Sequence, residues 1–249
     1  MRTGVFTTFI LKCNQNAAPG IPFLMRHFNR LAGDAQSIGL PTKLEGIAEL
    51  TTNLRKLLAT AQPEVNCDLR IKVILSPAGL EFTITPLNRR WQKPGGISLK
   101  VFNGTRPKAN IKHSDLSVSE AASQAAAHAQ AEEALLVDKH DLVREGAWSN
   151  IFWFDRTGTL YTNRKQALPG IIQSVIIEQT AAIDTEITLA DLVNLASEVF
   201  ITNAVELVVP VRQLLTESGC YNFLPGPLTR KIQELVHAQA LIEEYLLET

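Results

Sequence analysis

Four stretches decide how this chain folds: EEALLVD (132–138), LVREGAWSNIFWF (142–154), GTLYT (158–162) and LPGI (168–171). The apolar runs Glu133–Val137 and Asn150–Asp155 are short and bounded by charged or turn residues. That pattern suits buried strands better than helices. Arg156–Gly158 turns Asn150–Asp155 back onto a further strand, Thr159–Tyr161, and Pro169-Gly170 opens a helix through Thr180. Working outward, Asp115–Ala131 is rich in alanine and reads as a helix on propensity alone, with Ser117 or Asp115 available as N-cap. Glu198–Asn203 reads as a buried strand and Pro227–Leu247 as a terminal helix.

The first half alternates differently. Val5–Leu11 is a β-rich run that ends in turn residues over Asn14–Gly20. Helical spacing of Leu24, Phe28, Leu31 and Ala35 predicts a helix over Pro22–Ile38, stopped by Pro41, and Leu44, Ile47, Leu50, Leu54 and Leu57 predict another over Lys43–Leu58. Asp68–Leu75 and Glu81–Thr85 read as strands around a Pro77–Gly79 turn, and Ser98–Phe102 as one more. The NGTRPKANIK stretch (103–112) mixes glycine, proline and charge. Its reading as a linker sets a small N-terminal α/β domain at 1–105, the linker at 106–111 and a larger domain at 112–249. Strands and helices alternate irregularly, which favours an α+β class over a wound parallel sheet.

Composition narrows the function classes. The chain has 249 residues, 45% of them hydrophobic, enough to bury one or two cores. Its 24 basic residues against 25 acidic ones give a formal net charge of -1, so no basic face points to nucleic acid. Cys13, Cys67 and Cys220 are odd in number and lack CxxC spacing, which reads as reduced thiols and neither a disulfide framework nor a zinc site. The histidines form no pair with metal-ligand spacing. MRTGVFTTFILK has no apolar core of signal-peptide length, and no uncharged apolar run approaches the roughly 18 residues of a membrane span. A soluble, cytoplasmic protein with no membrane partner is expected.

Taken singly, the polar residues in these stretches are ordinary. Glu145 precedes a small-residue turn; Gly170 opens a helix whose first N–H groups could meet an anion; Asn203-Ala204 ends a strand; Lys112 lies at the mouth of the linker. In series the order is Lys112, Glu145, LPGI, TNA (202–204) and GPLTRK (226–231). GVFTTF (4–9) and HFNRL (27–31) lie upstream. This series resembles the class IV aminotransferases, the pyridoxal-5′-phosphate enzymes of fold type IV with a branched-chain-aminotransferase-like fold, and their lyase relatives, across nearly the whole chain.

The resemblance implies a two-domain fold type IV enzyme, with the cofactor between a small domain and a larger cofactor-binding one. Lys112 would condense with the cofactor's aldehyde and, once displaced by the substrate amine, act as the proton-transfer base. Glu145 would sit at the pyridine nitrogen, Arg30 and the backbone N–H groups of Ile171 and Ile172 would hold the phosphate, and Asn203 and Ala204 would lie beside it. FTT, IKH and the Asn-Ala pair resemble the aminodeoxychorismate lyases most closely. They imply conversion of 4-amino-4-deoxychorismate to 4-aminobenzoate, a folate precursor, and pyruvate, with Thr8 relaying a proton. The alternatives are transamination of branched-chain or D-amino acids, and a degenerate, non-catalytic member. A homodimer acting on a small amino-bearing carboxylate is implied as well.

Three departures stand out. Only three residues precede Gly4, where family members carry some thirty; either that part of the small domain's sheet is dispensable or the recorded start is late. Ser76-Pro77-Ala78-Gly79 replaces the family's Arg-Gly pair and leaves substrate-carboxylate recognition unassigned. Ile172-Gln173 stands where Thr-Arg is frequent, which removes one hydroxyl from the expected phosphate site.

Overall fold

A computed structural model of the chain describes residues 4–13, 18–42, 44–61 and 67–247. The chain divides into two compact units: Met1–Asn88 with Ile111–Asp115 and Ala238–Thr249, and Arg89–Asn110 with Leu116–His237.

In the first unit, β1 (Val5–Leu11), β3 (Leu69–Ser76) and β4 (Gly79–Pro86) form an antiparallel sheet in the order β1-β3-β4. The short β2 (Gly20–Pro22) pairs with β14 (Glu244–Leu246) near the end of the chain. Helices α1 (Leu24–Ser37) and α2 (Ile47–Ala61) supply the rest of the core. Alternation along β1 sends Val5, Phe9 and Leu11 into a cluster with Leu24, Leu31, Leu50, Leu54, Ile71 and Val73. The other residues of β1 are buried too, so the strand is covered on both faces. The predicted first helix starts two residues late because Phe23 sits in the left-handed region, at φ 60°, and breaks the helical path. The expected turn over Asn14–Gly20 lies partly, and the start of the second predicted helix at Lys43 wholly, outside the described residues.

The second unit is built on one mixed sheet. Its strands are β5 (Ile97–Asn103), β6 (Glu133–Val137), β7 (Val143–Gly146), β8 (Asn150–Asp155), β9 (Leu160–Thr162), β10 (Ile183–Asp184), β11 (Ala196–Asn203), β12 (Leu207–Leu215) and β13 (Cys220–Asn222). They run in the order β10-β9-β8-β11-β12-β5-β6-β7, with β13 on β12. Helices α3 (Ser117–His128), α4 (Ile171–Gln179), α5 (Leu189–Leu195) and α6 (Pro227–Ile242) accompany them. The order carries a geometric demand. β7 and β8 are joined by a tight turn, Gly146 N–H donating to Ser149 O at 2.7 Å, yet β11, β12, β5 and β6 stand between them in the sheet. The sheet must curl until its β7 edge comes back toward β8. One face packs Leu135, Val137, Ile151, Trp153, Val199, Ile201 and Val209 together; the other carries Ala134 and Leu136 against Ala122 and Ala126 of α3. Small side chains let that helix approach closely, so the alanine run serves packing as well as propensity. Leu116, not Ser117 or Asp115, is its N-cap.

The expected boundaries at 105 and 112 are revised by this topology. β5 hydrogen-bonds between β6 and β12, which draws everything from Arg89 into the second unit. Ile111–Asp115 returns to the first unit, where Val5 and His113 form an antiparallel bridge. Lys112 therefore belongs to the first unit, not to the start of the larger one. The fold is α+β of the fold type IV kind. Among the described residues no helix is long and apolar enough to cross a membrane.

Phe152 and Phe200 are fully buried and stack with ring centroids 5.0 Å apart across β8 and β11. Truncation of either leaves a cavity that a close-packed sheet cannot refill. Phe200→Ala should lower unfolding free energy by about 3–5 kcal/mol in denaturant titration; a loss below about 1 kcal/mol would show that the pair is not a core contact.

Candidate active site

In the first unit the polar residues gather along β1 and α1. Lys112 runs beside the edge of β1, its carbonyl accepting from Phe6 N–H at 2.9 Å. On its other side the Lys112 N–H donates to Asp34 Oδ2 at 3.0 Å. Its Nζ stands 4.7 Å from the centroid of the Phe6 ring, and Lys72 Nζ of β3 lies at 4.7 Å from the same ring. Phe6 and Thr8 share a face of β1, since side chains alternate along a strand. Thr8 is 8% exposed and pairs in register with Lys72.

Thr7 lies on the opposite face. Its hydroxyl accepts from Arg30 Nη2 at 3.1 Å and contacts His27 Nδ1 at 2.7 Å. Burial, then the charges of Arg30 and Lys112, hold the His27 pKa well below its ordinary value. The imidazole is therefore neutral at physiological pH. The Thr7 hydroxyl thus links Arg30 to His27, three residues before it on α1. Sequence reasoning chose Thr8 and passed over Thr7, His27 and Asp34. The available signal was the spacing of His27, Leu31 and Asp34, which places them on one helix face.

In the second unit Glu145 is 3% exposed. Its Oε1 accepts from Arg106 Nε at 2.7 Å and its Oε2 from Leu168 N–H at 2.9 Å. Arg106 also donates from Nη2 to Ala109 O at 2.7 Å, so one guanidinium ties the segment ahead of Lys112 to the carboxylate. The turn after β7 is held by a second buried carboxylate. Glu133 Oε2 accepts from Trp148 N–H at 3.1 Å and Ser149 Oγ at 3.2 Å, and Oε1 from Ala134 N–H at 2.8 Å. Gly146 is required there, because a Cβ would collide with Ser149 Oγ.

Leu168-Pro169-Gly170 leads into α4. Asn150 Nδ2 donates to Leu168 O at 2.8 Å, and a Cβ on Gly170 would collide with Asn150 Oδ1. Gly170 is the N-cap and receives no side-chain cap. Ile171 and Ile172 occupy the first turn, where N–H groups have no acceptor within the helix. Thr202 pairs across β11 and β8 with Asn150, and its buried Oγ1 has no hydrogen-bond partner among the described residues. A buried hydroxyl left unpaired costs on the order of 1–3 kcal/mol unless a ligand takes it up. Asn203 is one residue on, but its Oδ1 caps the strand turn by accepting from Val205 N–H and Glu206 N–H at 2.9 and 2.7 Å, with Ala204 inside that turn. Gln173 points inward, donating to Thr162 Oγ1 at 3.0 Å and Asn163 O at 3.2 Å.

A model of the amino-transferase class IV family matches residues 4–214. The chain belongs to this family. Three solved structures show the shared fold. A branched-chain aminotransferase of the archaeon Thermoproteus uzoniensis with norvaline is 21% identical, with a TM-score of 0.82 over 98% of this chain and 90% of that one. A candidate 4-amino-4-deoxychorismate lyase of Legionella pneumophila is 19% identical, with a TM-score of 0.76 over 95% and 91%. A hypothetical aminotransferase of Mycobacterium tuberculosis, in a pyridoxal-phosphate-bound form, is 19% identical, with a TM-score of 0.78 over 96% and 89%. No curated protein sequence matches significantly. Pyridoxal 5′-phosphate is the cofactor of class IV enzymes, and the residues fit it. A helix start without a side-chain cap and a buried unpaired hydroxyl suit a phosphate, and a buried carboxylate suits a ring nitrogen.

Among the described residues Glu133 has no cationic partner. Burial, opposed by its hydrogen bonds and reinforced by Glu145, pushes its pKa up to about 7. A carboxyl whose pKa rises on folding binds its proton more tightly in the native protein, so the stabilisation is complete below the unfolded value and is lost as pH climbs to 7. Wild-type stability should therefore fall between about pH 4.5 and 7 relative to Glu133→Gln, by up to a few kcal/mol. Denaturation curves at several pH values would measure it; parallel pH profiles would contradict the assignment.

Proposed function

We propose that this class IV enzyme is a lyase that converts 4-amino-4-deoxychorismate to 4-aminobenzoate and pyruvate, with Lys112 as its cofactor-bearing lysine. The reading rests chiefly on one observation: Thr8 lies on the same face of β1 as Phe6, the ring that Lys112 Nζ stands over. A hydroxyl on that face is what a proton relay beside the lysine needs, whereas Thr7 is occupied with Arg30 and His27.

Bound pyridoxal phosphate supplies an electron sink for the pair released when the substrate's C4–H bond breaks. Lys112 would take that proton, and Thr8 would relay a proton to the enolpyruvyl carbon as its C–O bond is cleaved and pyruvate leaves. Glu145, fixed by Arg106 and Leu168 N–H, would serve the ring nitrogen and keep it protonated. Arg30 in the first unit, and the first-turn N–H groups of Ile171 and Ile172 with Thr202 Oγ1 in the second, would be the phosphate ligands, charge-assisted contacts being the strong ones. Asn203 and Ala204 support that corner through their turn. We place the enzyme in the cytoplasm as a homodimer.

Transamination is the second reading, supported by the likeness to the Thermoproteus uzoniensis enzyme. A degenerate, non-catalytic member is disfavoured because Lys112, Glu145 and Arg30 are all retained, where a decayed site would lose at least one.

Reconstituted protein given 4-amino-4-deoxychorismate should release 4-aminobenzoate and pyruvate in equal amounts, and Thr8→Val should slow this at least ~100-fold. Glutamate formed from 2-oxoglutarate and a branched-chain or D-amino acid, with no pyruvate, would overturn lysis in favour of transamination. Thr202→Val should weaken pyridoxal-phosphate binding about tenfold in a fluorescence titration, the value of one hydrogen bond to a charged group. Unchanged affinity would remove Thr202 from the phosphate site.

A further inference from the structure

Asp34 is the one buried acidic side chain on α1, 7% exposed and in the helix's last turn. A carboxylate there is disfavoured by burial and again by the negative end of the helix dipole. Its position is nonetheless specific: Oδ2 accepts from the backbone N–H of Lys112 at 3.0 Å, while Phe6 N–H holds the carbonyl of the same residue at 2.9 Å. The lysine's peptide is clamped from both sides, and the side chain leaves from a fixed point.

A neutral acceptor would satisfy the same N–H. What aspartate adds is a buried negative charge on α1, one helical turn from a cation and hydrogen-bonded to the lysine's backbone. Arg30 lies one helical turn before it, and Lys72 shares the Phe6 ring with Lys112. His27 on α1 is neutral, its pKa depressed in part by Arg30 and Lys112. On the lysine's own segment stand His113 and Asp115, whose N–H donates to His113 Nδ1 at 3.1 Å. From β1 the neighbours are Phe6 and Thr8, which carry no charge. A carboxylate hydrogen-bonded to the lysine's backbone N–H is separated from its Nζ by about the length of one lysine side chain, a range at which a buried unit charge still favours a positive charge on the nitrogen.

We propose that Asp34 is the positioning residue of Lys112, fixing its backbone and supplying the negative charge that keeps the nitrogen protonated once it is linked to the cofactor. The proposal rests on the reading of Lys112 as the cofactor lysine, and the two fail separately. Wild type, Asp34→Asn and Asp34→Ser are each loaded with pyridoxal phosphate. Borohydride reduction followed by peptide mass mapping reports where the cofactor is attached. The pH midpoint of the visible absorbance change reports the protonation of the linkage. Wild type should be labelled at Lys112. In Asp34→Asn, which keeps an acceptor and loses the charge, labelling at Lys112 should persist and the midpoint should fall by roughly one pH unit. Asp34→Ser should shift it the same way, so either variant suffices if the other fails to fold. Label at Lys112 with an unmoved midpoint would overturn the role of Asp34 and leave the lysine's standing intact. Absence of label at Lys112 in wild type would overturn the reading beneath it.

Discussion

The backbone of Lys112 is the point at which β1 and α1 of the first unit are tied together. A lysine on a surface linker would sample many rotamers. This one is stitched to β1 through its carbonyl and to Asp34 through its N–H, and its nitrogen rests over Phe6. The same two elements arrange the neighbours. Alternation along β1 sends Thr7 to Arg30 and His27 and leaves Thr8 with Phe6, so adjacent threonines serve opposite faces. α1 carries Arg30 and Asp34 one turn apart, placing a cation and an anion where one short helix can aim both.

The second unit meets a different constraint. A curled sheet returns its β7 edge toward β8 through a turn of small residues, and that turn positions the strand bearing Glu145. Two buried carboxylates share the work. Among the described residues Glu133 has only neutral donors and gathers the turn's N–H and hydroxyl groups; Glu145 has a guanidinium on one oxygen and a backbone N–H on the other. The guanidinium fixes the Glu145 carboxylate in place, while burial without a cation drives Glu133 toward its neutral form.

Much of this was legible in the sequence, and the limits have physical causes. Val5–Leu11, Glu133–Val137 and Asn150–Asp155 were readable to the residue because each is a dense apolar run buried in the sheet. β7 was hidden because VREG is half charged; Arg144 is covered by Asp138, and Glu145 by Arg106, partners that no local pattern reveals. β2 and β14 are too short to signal at all and exist because they pair across the length of the chain. The expected linker concealed a return to the first unit, where 111–115 is bonded to β1 and to Asp34 of α1, partners distant in sequence. Motif order points to Lys112, Arg30, Glu145, the α4 start and the 202–204 stretch as candidates. Their hydrogen-bonding neighbours Thr7, His27, Asp34 and Arg106, and the buried Glu133, emerge only when distant segments meet.

The most direct measurement is a crystal structure of the protein soaked with pyridoxal phosphate and left unreduced. The expected result is continuous density from the nitrogen of Lys112 into the cofactor's aldehyde carbon, a Glu145 oxygen within hydrogen-bond distance of the ring nitrogen, and phosphate oxygens on the N–H groups of Ile171 and Ile172. A cofactor bound elsewhere, or density that ends short of position 112 with that amine turned to solvent, would contradict the account.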